Sequence, residues 1–342
     1  MRRIAVSLLL PLFLWTVAAA AASAAEPPPT TSTDTVRGAA EQAEAERRRQ
    51  GAQAPGGKDW TFGLFAGVQY EDNVILRNEH VLVGGDRTDW KSVNALFADY
   101  RLVNTDARVL GLRYNAYQTF LDKHDELQLT GNGVTLHHTE IHAPFVLDVP
   151  VSFAHYDLQD DKYLNLGTVS PALYFEETSR LVGVVRGSFQ HFDYYKVPGS
   201  GFDEPDRSSK VYEGGLEQWL LLGERAQWRV EAGWAWRHED ARENEWSNDA
   251  WAARLGLRGA LPWWKLGLET GATFTDKDYQ ERNDLFGKTQ HDEIVTLGLG
   301  LSRPISDWAT VTVAYLFTRD DSNVESQDYR RNQATLGVTF LF

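Results

Sequence analysis

The sequence predicts an all-β fold: a transmembrane, antiparallel, up-and-down β-barrel of about 14 strands. Three observations carry the prediction. The first is period-two patterning, clearest from Tyr329 to Phe342, where Ala334, Leu336, Val338, Phe340 and Phe342 alternate with Arg331, Gln333, Thr335, Gly337 and Thr339. Apolar residues on every second position describe a strand with one greasy face, not a helix. The second is the sorting of connections. Short ones (VNTDA, TEIHA, ETSR, LGERA, LPW, RPISD) alternate with mostly longer, polar ones, as they do when tight turns occupy one membrane face and loops the other. The third is hydropathy. The chain is 42% hydrophobic, yet its mean hydropathy is -0.41 and no interior run suits a membrane helix; alternating strands hide their apolar residues in such an average. The 12 Trp, 13 Tyr and 16 Phe would supply the interfacial girdles.

The elements follow in order. Residues 1–25 are expected to be a signal peptide: Arg2 and Arg3 form its basic start, Ile4 to Trp15 its apolar core, and Ser23-Ala24-Ala25 its small-residue cleavage site. That segment holds two arginines and no acid, so its removal takes the formal charge from -14 to -16. A chain this acidic is a poor nucleic-acid binder. With no cysteine there is neither a lipid-anchor site nor a disulfide. Residues 26–58 pass from a Pro/Thr-rich leader to an Ala/Glu/Arg tract with almost nothing to bury, and read as a low-complexity periplasmic extension.

Residues 59–342 form the barrel. Its fourteen candidate strands begin with Trp60–Glu71, Trp90–Leu102, Ala107–Phe120, Glu126–His138 and Pro144–Leu158. Tyr163–Glu176, Leu181–Tyr194, Val211–Leu221, Gln227–Arg237 and Asp249–Gly259 continue the series, and Trp264–Thr275, Ile294–Ser302, Trp308–Phe317 and Tyr329–Phe342 complete it. Trp228, Val230, Ala232, Trp234 and Trp236 share one face of their strand against Arg229, Glu231, Gly233 and Arg237. Phe145, Leu147, Val149, Val151 and Phe153 do the same against Asp148, Pro150 and Ser152. An ionised side chain against lipid is unfavourable, so the apolar face belongs outside. Trp90–Leu102 alternates ambiguously, Gly131-Asn132-Gly133 suggests a bulge, and Pro150 and Pro171 each suggest a bulge or a strand end.

Facing residues then predict the site. Arg113, Asp148, Arg186, Glu213, Glu217 and Arg229 would line the pore, together with Glu231, Arg254, Arg258, Lys265, Glu269 and Arg331. At about 14 strands the backbone diameter is roughly 28 Å, too wide for wall side chains to fill, so an aqueous channel, open or narrowed by loops, is expected. The charges would either form a selectivity filter or pair into a structural network. Acidic loops such as Thr318–Asp328 read as solvated, without a recognisable calcium-loop pattern, and no metal or cofactor is expected. His137, His138 and His142 form a histidine cluster near a turn, with Ser152 on the next strand. HHTEIH does not fit H-E-x-x-H, and no nucleophile elbow or P-loop occurs, so enzymatic activity is not expected.

The aromatic end of the last strand, with Val338, Phe340 and Phe342 on one face, resembles the C-terminal assembly signal of bacterial outer-membrane barrels. Larger fragments extend the likeness: FGLFAGVQYEDNV, GDRTDW, LEQWLLLG, DKDYQERNDLFGKTQHDEIVTLGLGLSRPISDW and TRDDSNVESQDYRRNQATLGVTFLF. Together they resemble the outer-membrane barrel of the surface lipoprotein assembly modifiers and related barrels found behind tetratricopeptide repeats. In the modifiers a periplasmic repeat domain precedes the barrel; residues 26–58 here contain no repeat of about 34 residues. The resemblance implies the cell outer membrane as location, with membrane lipids, lipopolysaccharide and the barrel assembly machinery as partners. The primary functional expectation is a channel for small hydrophilic solutes or a secreted polymer. A translocation barrel for surface proteins or lipoproteins, working with a separate partner protein, is the alternative, and a barrel hydrolase a second one.

Overall fold

The computed structural model describes residues 60–74, 88–105, 107–124, 127–159, 161–195, 207–223, 227–261, 266–283, 287–325 and 327–342; the expected signal peptide and extension lie outside the described residues. The chain runs through β1 (Trp60–Glu71), β2 (Asp89–Asn104), β3 (Arg108–Leu121), β4 (Leu129–His142) and β5 (Phe145–Leu158). It continues through β6 (Asp161–Val169), β7 (Ala172–Thr178), β8 (Leu181–Tyr194), β9 (Ser209–Leu222) and β10 (Trp228–Ala241). The wall is completed by β11 (Asn248–Leu261), β12 (Leu266–Asn283), β13 (Lys288–Ser306), β14 (Ala309–Ser322) and β15 (Tyr329–Leu341). Neighbours pair antiparallel throughout, and β1 pairs with β15 from Gly63↔Leu341 to Glu71↔Gln333, so the sheet closes on itself. β6 and β7 are two halves of one stave, since both pair with β5 on one side and β8 on the other. Fourteen staves result, and closure removes the free edges that an open sheet would expose.

The break between β6 and β7 has a chemical cause. Ser170 N–H donates to the Pro150 carbonyl at 3.2 Å, and Gly187 N–H donates to the Pro171 carbonyl at 2.9 Å. Neither proline has an N–H with which to return the bond. Pro171 thus ends a strand segment, as its sequence suggests, whereas Pro150 stays within β5 opposite the gap.

Side-chain facing follows the expected parity. On β10, Trp234 and Trp236 are exposed outward while Glu231 and Arg237 are buried inside; on β15, Ala334, Leu336 and Phe342 face out while Arg331, Gln333 and Thr339 are buried. β2 resolves its ambiguity with Lys91 and Val93 inside, Trp90 and Leu102 outside, and a register shift between Arg101 and Val103. The expected bulge at Gly131–Gly133 is absent, because the register of β4 is continuous on both sides. Gly131 makes room for a ring instead: a Cβ there would lie 2.6 Å from Tyr156.

Outward-facing aromatics gather at both rims, with Trp308 stacked near Phe340 (5.8 Å) and Trp60 on Tyr100 (4.3 Å) at the short-turn rim, and Tyr70 beside Trp90 (5.1 Å) at the long-loop rim. Between them runs an apolar band, represented on β13 by Val295, Leu297, Leu299 and Leu301. Above the band, β12 and β13 continue to 18 and 19 residues, so their hairpin projects past the membrane. A wall closed in this way, with its exposed greasy belt and aromatic rims, is an outer-membrane β-barrel.

Candidate functional site

The lumen is the candidate site, and it has two zones. In its periplasmic half, charges on β8 to β12 interlock. Glu217 on β9 is a hub: its Oε1 lies 3.1 Å from Arg186 Nε and 2.6 Å from Arg254 Nη2, and its Oε2 accepts from Trp219 Nε1 at 3.1 Å. Glu231 on β10 is a second hub, 2.6 Å from Arg229 and 3.4 Å from Arg258, which reaches on to Glu269 at 2.8 Å. Arg229 also stacks over Trp219, 4.2 Å from the ring centre. Glu213 shares the lumen face of β9, opposite Arg237 in register. Across the lumen, Arg113 pairs with Asp99 at 2.8 Å, and Asp148 accepts from Thr139 at 2.6 Å. The sequence-predicted residues Arg186, Glu217, Arg229, Glu231, Arg254, Arg258 and Glu269 are therefore brought together, while Arg113 and Asp148 stand apart from them. Lys265 lies outside the described residues.

The outer half is different. Lumen-facing side chains of β1 to β6, β8 and β9 form one apolar cluster, including Phe65, Tyr117, Leu129, Tyr156, Leu164 and Phe192, with exposures of only 0–8%. In an aqueous pore of this girth the wall side chains would be wet. Buried apolar side chains thus line one side of this half, where the alternation led to the expectation of polar ones. Sequence reasoning missed them because alternation assigns apolar residues to lipid. The one available signal was that YLNLGTV and its neighbour AHYDL place large apolar residues on the face expected to be polar.

Buried charges share the outer half with this cluster. Arg331 is brought to Glu71 (3.7 Å), which also meets Lys91 at 2.9 Å and accepts from Gln333 Nε2 at 2.9 Å. Glu71 escaped the sequence reading because β1 has no other charge to mark the face, and Lys91 because the alternation of β2 is ambiguous.

The histidines do not converge. His137 shares the lumen face with Ser152, whereas His138 and His142 lie on the outer face, 3.1 and 3.4 Å from Glu140. A group able to hold a metal occurs elsewhere: Asp276, Asp278 and His291, on the outer face of the β12–β13 hairpin above the apolar band. His291 Nδ1 is 2.8 Å from Asp278, and that hydrogen bond holds the imidazole above its ordinary pKa.

At the periplasmic rim Phe342 closes the wall. Its N–H donates to Phe62 O at 2.9 Å, its carbonyl accepts from Phe62 N–H at 3.2 Å, and its ring sits 6.3 Å from Trp308. Phe340 and Val338 follow it on the lipid side. Comparison with known proteins bears on this C-terminal half. Residues 213–342 match the family Surface lipoprotein assembly modifier. The barrel resembles the C-terminal barrel of that family, and the match runs from β9 through the closing strand. No curated protein matches the chain. Among solved structures, a loop-deletion mutant of OmpT, an outer membrane protein of Vibrio cholerae, is 10% identical, covering 83% of this chain and 98% of its own, with a TM-score of 0.48. Acinetobacter baumannii OccAB3 is 9% identical (83% and 99% covered, TM-score 0.47), and a Pseudomonas aeruginosa FadL homologue 9% identical (83% and 90%, TM-score 0.45).

Proposed function

We propose that this protein is a translocation barrel, closed at rest, that passes a surface protein or lipoprotein across the outer membrane when a separate periplasmic partner engages it. The observation that carries the reading is the buried apolar cluster on one side of the outer half, whose side chains are 0–8% exposed. Ions and small hydrophilic solutes would find no polar partners along that side. The charges of the periplasmic half support the same reading, since the hubs at Glu217 and Glu231 neutralise the arginines beside them. A lattice of this kind offers a passing chain exchangeable partners of both signs. In this reading the barrel passes its cargo and performs no bond chemistry. The family match supports a cargo of the surface-lipoprotein class.

Two measurements test it together. Purified wild-type barrel in planar bilayers should give no discrete conductance steps. Cells lacking the gene should lose one or more proteins from the protease-accessible surface, and those proteins should accumulate in the periplasm. Regular steps from the wild type, with an unchanged set of surface proteins, would instead establish a standing channel for small solutes or a secreted polymer.

A further inference from the structure

Asp320 is a buried carboxylate without a hydrogen-bond partner among the described residues. It lies on the lumen face of β14, is 0% exposed, and neither of its oxygens has a hydrogen-bond partner. On the adjacent β13, Asp292 is equally buried but satisfied, accepting from Gln290 Nε2 at 2.8 and 2.9 Å and from Ser322 Oγ at 2.6 Å. Register pairs Asp292 with Ser322 and Ile294 with Asp320, so the two aspartates are diagonal neighbours on one face of the sheet. Diagonal neighbours are close enough to share one ion.

The charged groups around them do not remove the imbalance. β12 contributes Tyr279 and Lys277, whose ammonium donates to the tyrosine hydroxyl at 2.7 Å and is one cation facing three carboxylates, Glu239, Asp292 and Asp320. β15 contributes Tyr329 and Arg331, the latter facing Glu71 at 3.7 Å. Asp321 follows Asp320 in β14, and Asp328 precedes β15, adding negative charge. A bare carboxylate removed from water is strongly unfavourable, and two side by side are worse. The donors nearby are carboxylate, hydroxyl and amide oxygens, with no imidazole or thiol among the groups just named. Such a set suits a hard cation.

We propose that Asp320 and Asp292 form a buried binding site for a divalent cation of the Ca²⁺ type, at the outer end of the lumen. The ion neutralises both carboxylates and ties β13 to β14 just above the apolar band. Ser322 belongs to its surroundings, through the hydroxyl already bound to Asp292. This site is separate from the exposed Asp276, Asp278 and His291 group, which lies on the opposite face of the wall.

The test uses the full-length barrel, refolded, stripped with chelator and returned to neutral pH. Calcium uptake is counted by equilibrium dialysis with radioactive Ca²⁺, and Tb³⁺ luminescence excited through tyrosine serves as a second reading. Wild type and Asp278→Asn should each take up a buried ion that sensitises Tb³⁺. Asp320→Asn and Asp292→Asn should each weaken this uptake about tenfold or more. If one of these variants does not give a heat-modifiable barrel, the other reads the same loss. No stoichiometric uptake by the wild type would mean that protons or side chains satisfy Asp320, and would overturn the proposal. Undiminished binding in Asp320→Asn, or loss of all binding in Asp278→Asn, would overturn it too.

Discussion

Among single residues, Glu71 is the one on which most buried charge depends. It is wholly enclosed and answers Lys91 and Arg331 together, while Gln333 donates to its Oε2. Removing one member of a buried ion pair strands the other, at a cost of about 3–5 kcal/mol. The two sides of this group are unequal, however. Glu71→Leu deprives two cations of their carboxylate, whereas Lys91→Met leaves Glu71 with Arg331 and Gln333. We expect Glu71→Leu to destabilise the folded barrel by about 3 kcal/mol or more and Lys91→Met by distinctly less, measured by urea unfolding in lipid. Equal losses would show that Arg331 contributes nothing to holding Glu71. No sequence pattern foretells this trio. Arg331 lies on the last strand, Glu71 on the first and Lys91 on the second, so only closure of the wall brings them together.

At the scale of strands, the divided stave gives the sharpest test. The bond that Pro171 cannot return is the one to the Gly187 carbonyl, because Gly187 N–H already donates to Pro171 O. Pro171→Val supplies the missing donor and should join β6 to β7. The expected gain is about 0.5–1.5 kcal/mol, with slower amide exchange around residues 170–173. Unchanged exchange there would assign the break to Pro150 instead. This irregularity was legible in the sequence, since a proline inside a barrel strand has nowhere to hide its lost donor. The lengths of β12 and β13 were not. The sequence reading ends the first near Thr275 and starts the second at Ile294, but the strands reach Asn283 and Lys288. Above the membrane both faces meet water or polar neighbours, so DKDYQERN loses the apolar alternation that marks a strand and reads as a loop.

For the whole molecule, the sorting of connections fixes orientation. Cysteines placed at Asn244 and Asn323, beyond the long-loop rim, should react with an impermeant maleimide on intact cells. Cysteines at Asn104 and Ser306, at the short-turn rim, should react only after the outer membrane is permeabilised. The opposite pattern would invert the barrel. Strand number, closure and facing were all legible because lipid imposes one rule on every stave: its outer face must be apolar. The lumen obeys no comparable rule. Its charged residues, Arg331 of the outer half among them, could be read from their place opposite apolar ones, but the apolar cluster of the outer half could not, since a large apolar side chain at an inward position looks like an error of parity. That half has a consequence for water itself. In the function proposed above, a passage that narrows against Phe65, Tyr117, Leu129, Leu164 and their neighbours does not have to be mechanically shut to stop ions. Between apolar surfaces closer than about 1 nm, liquid water is unstable and recedes, leaving a gap with the insulating character of vapour. In that function, wetting rather than widening would open the passage, and a polar chain threaded through it would bring the water along.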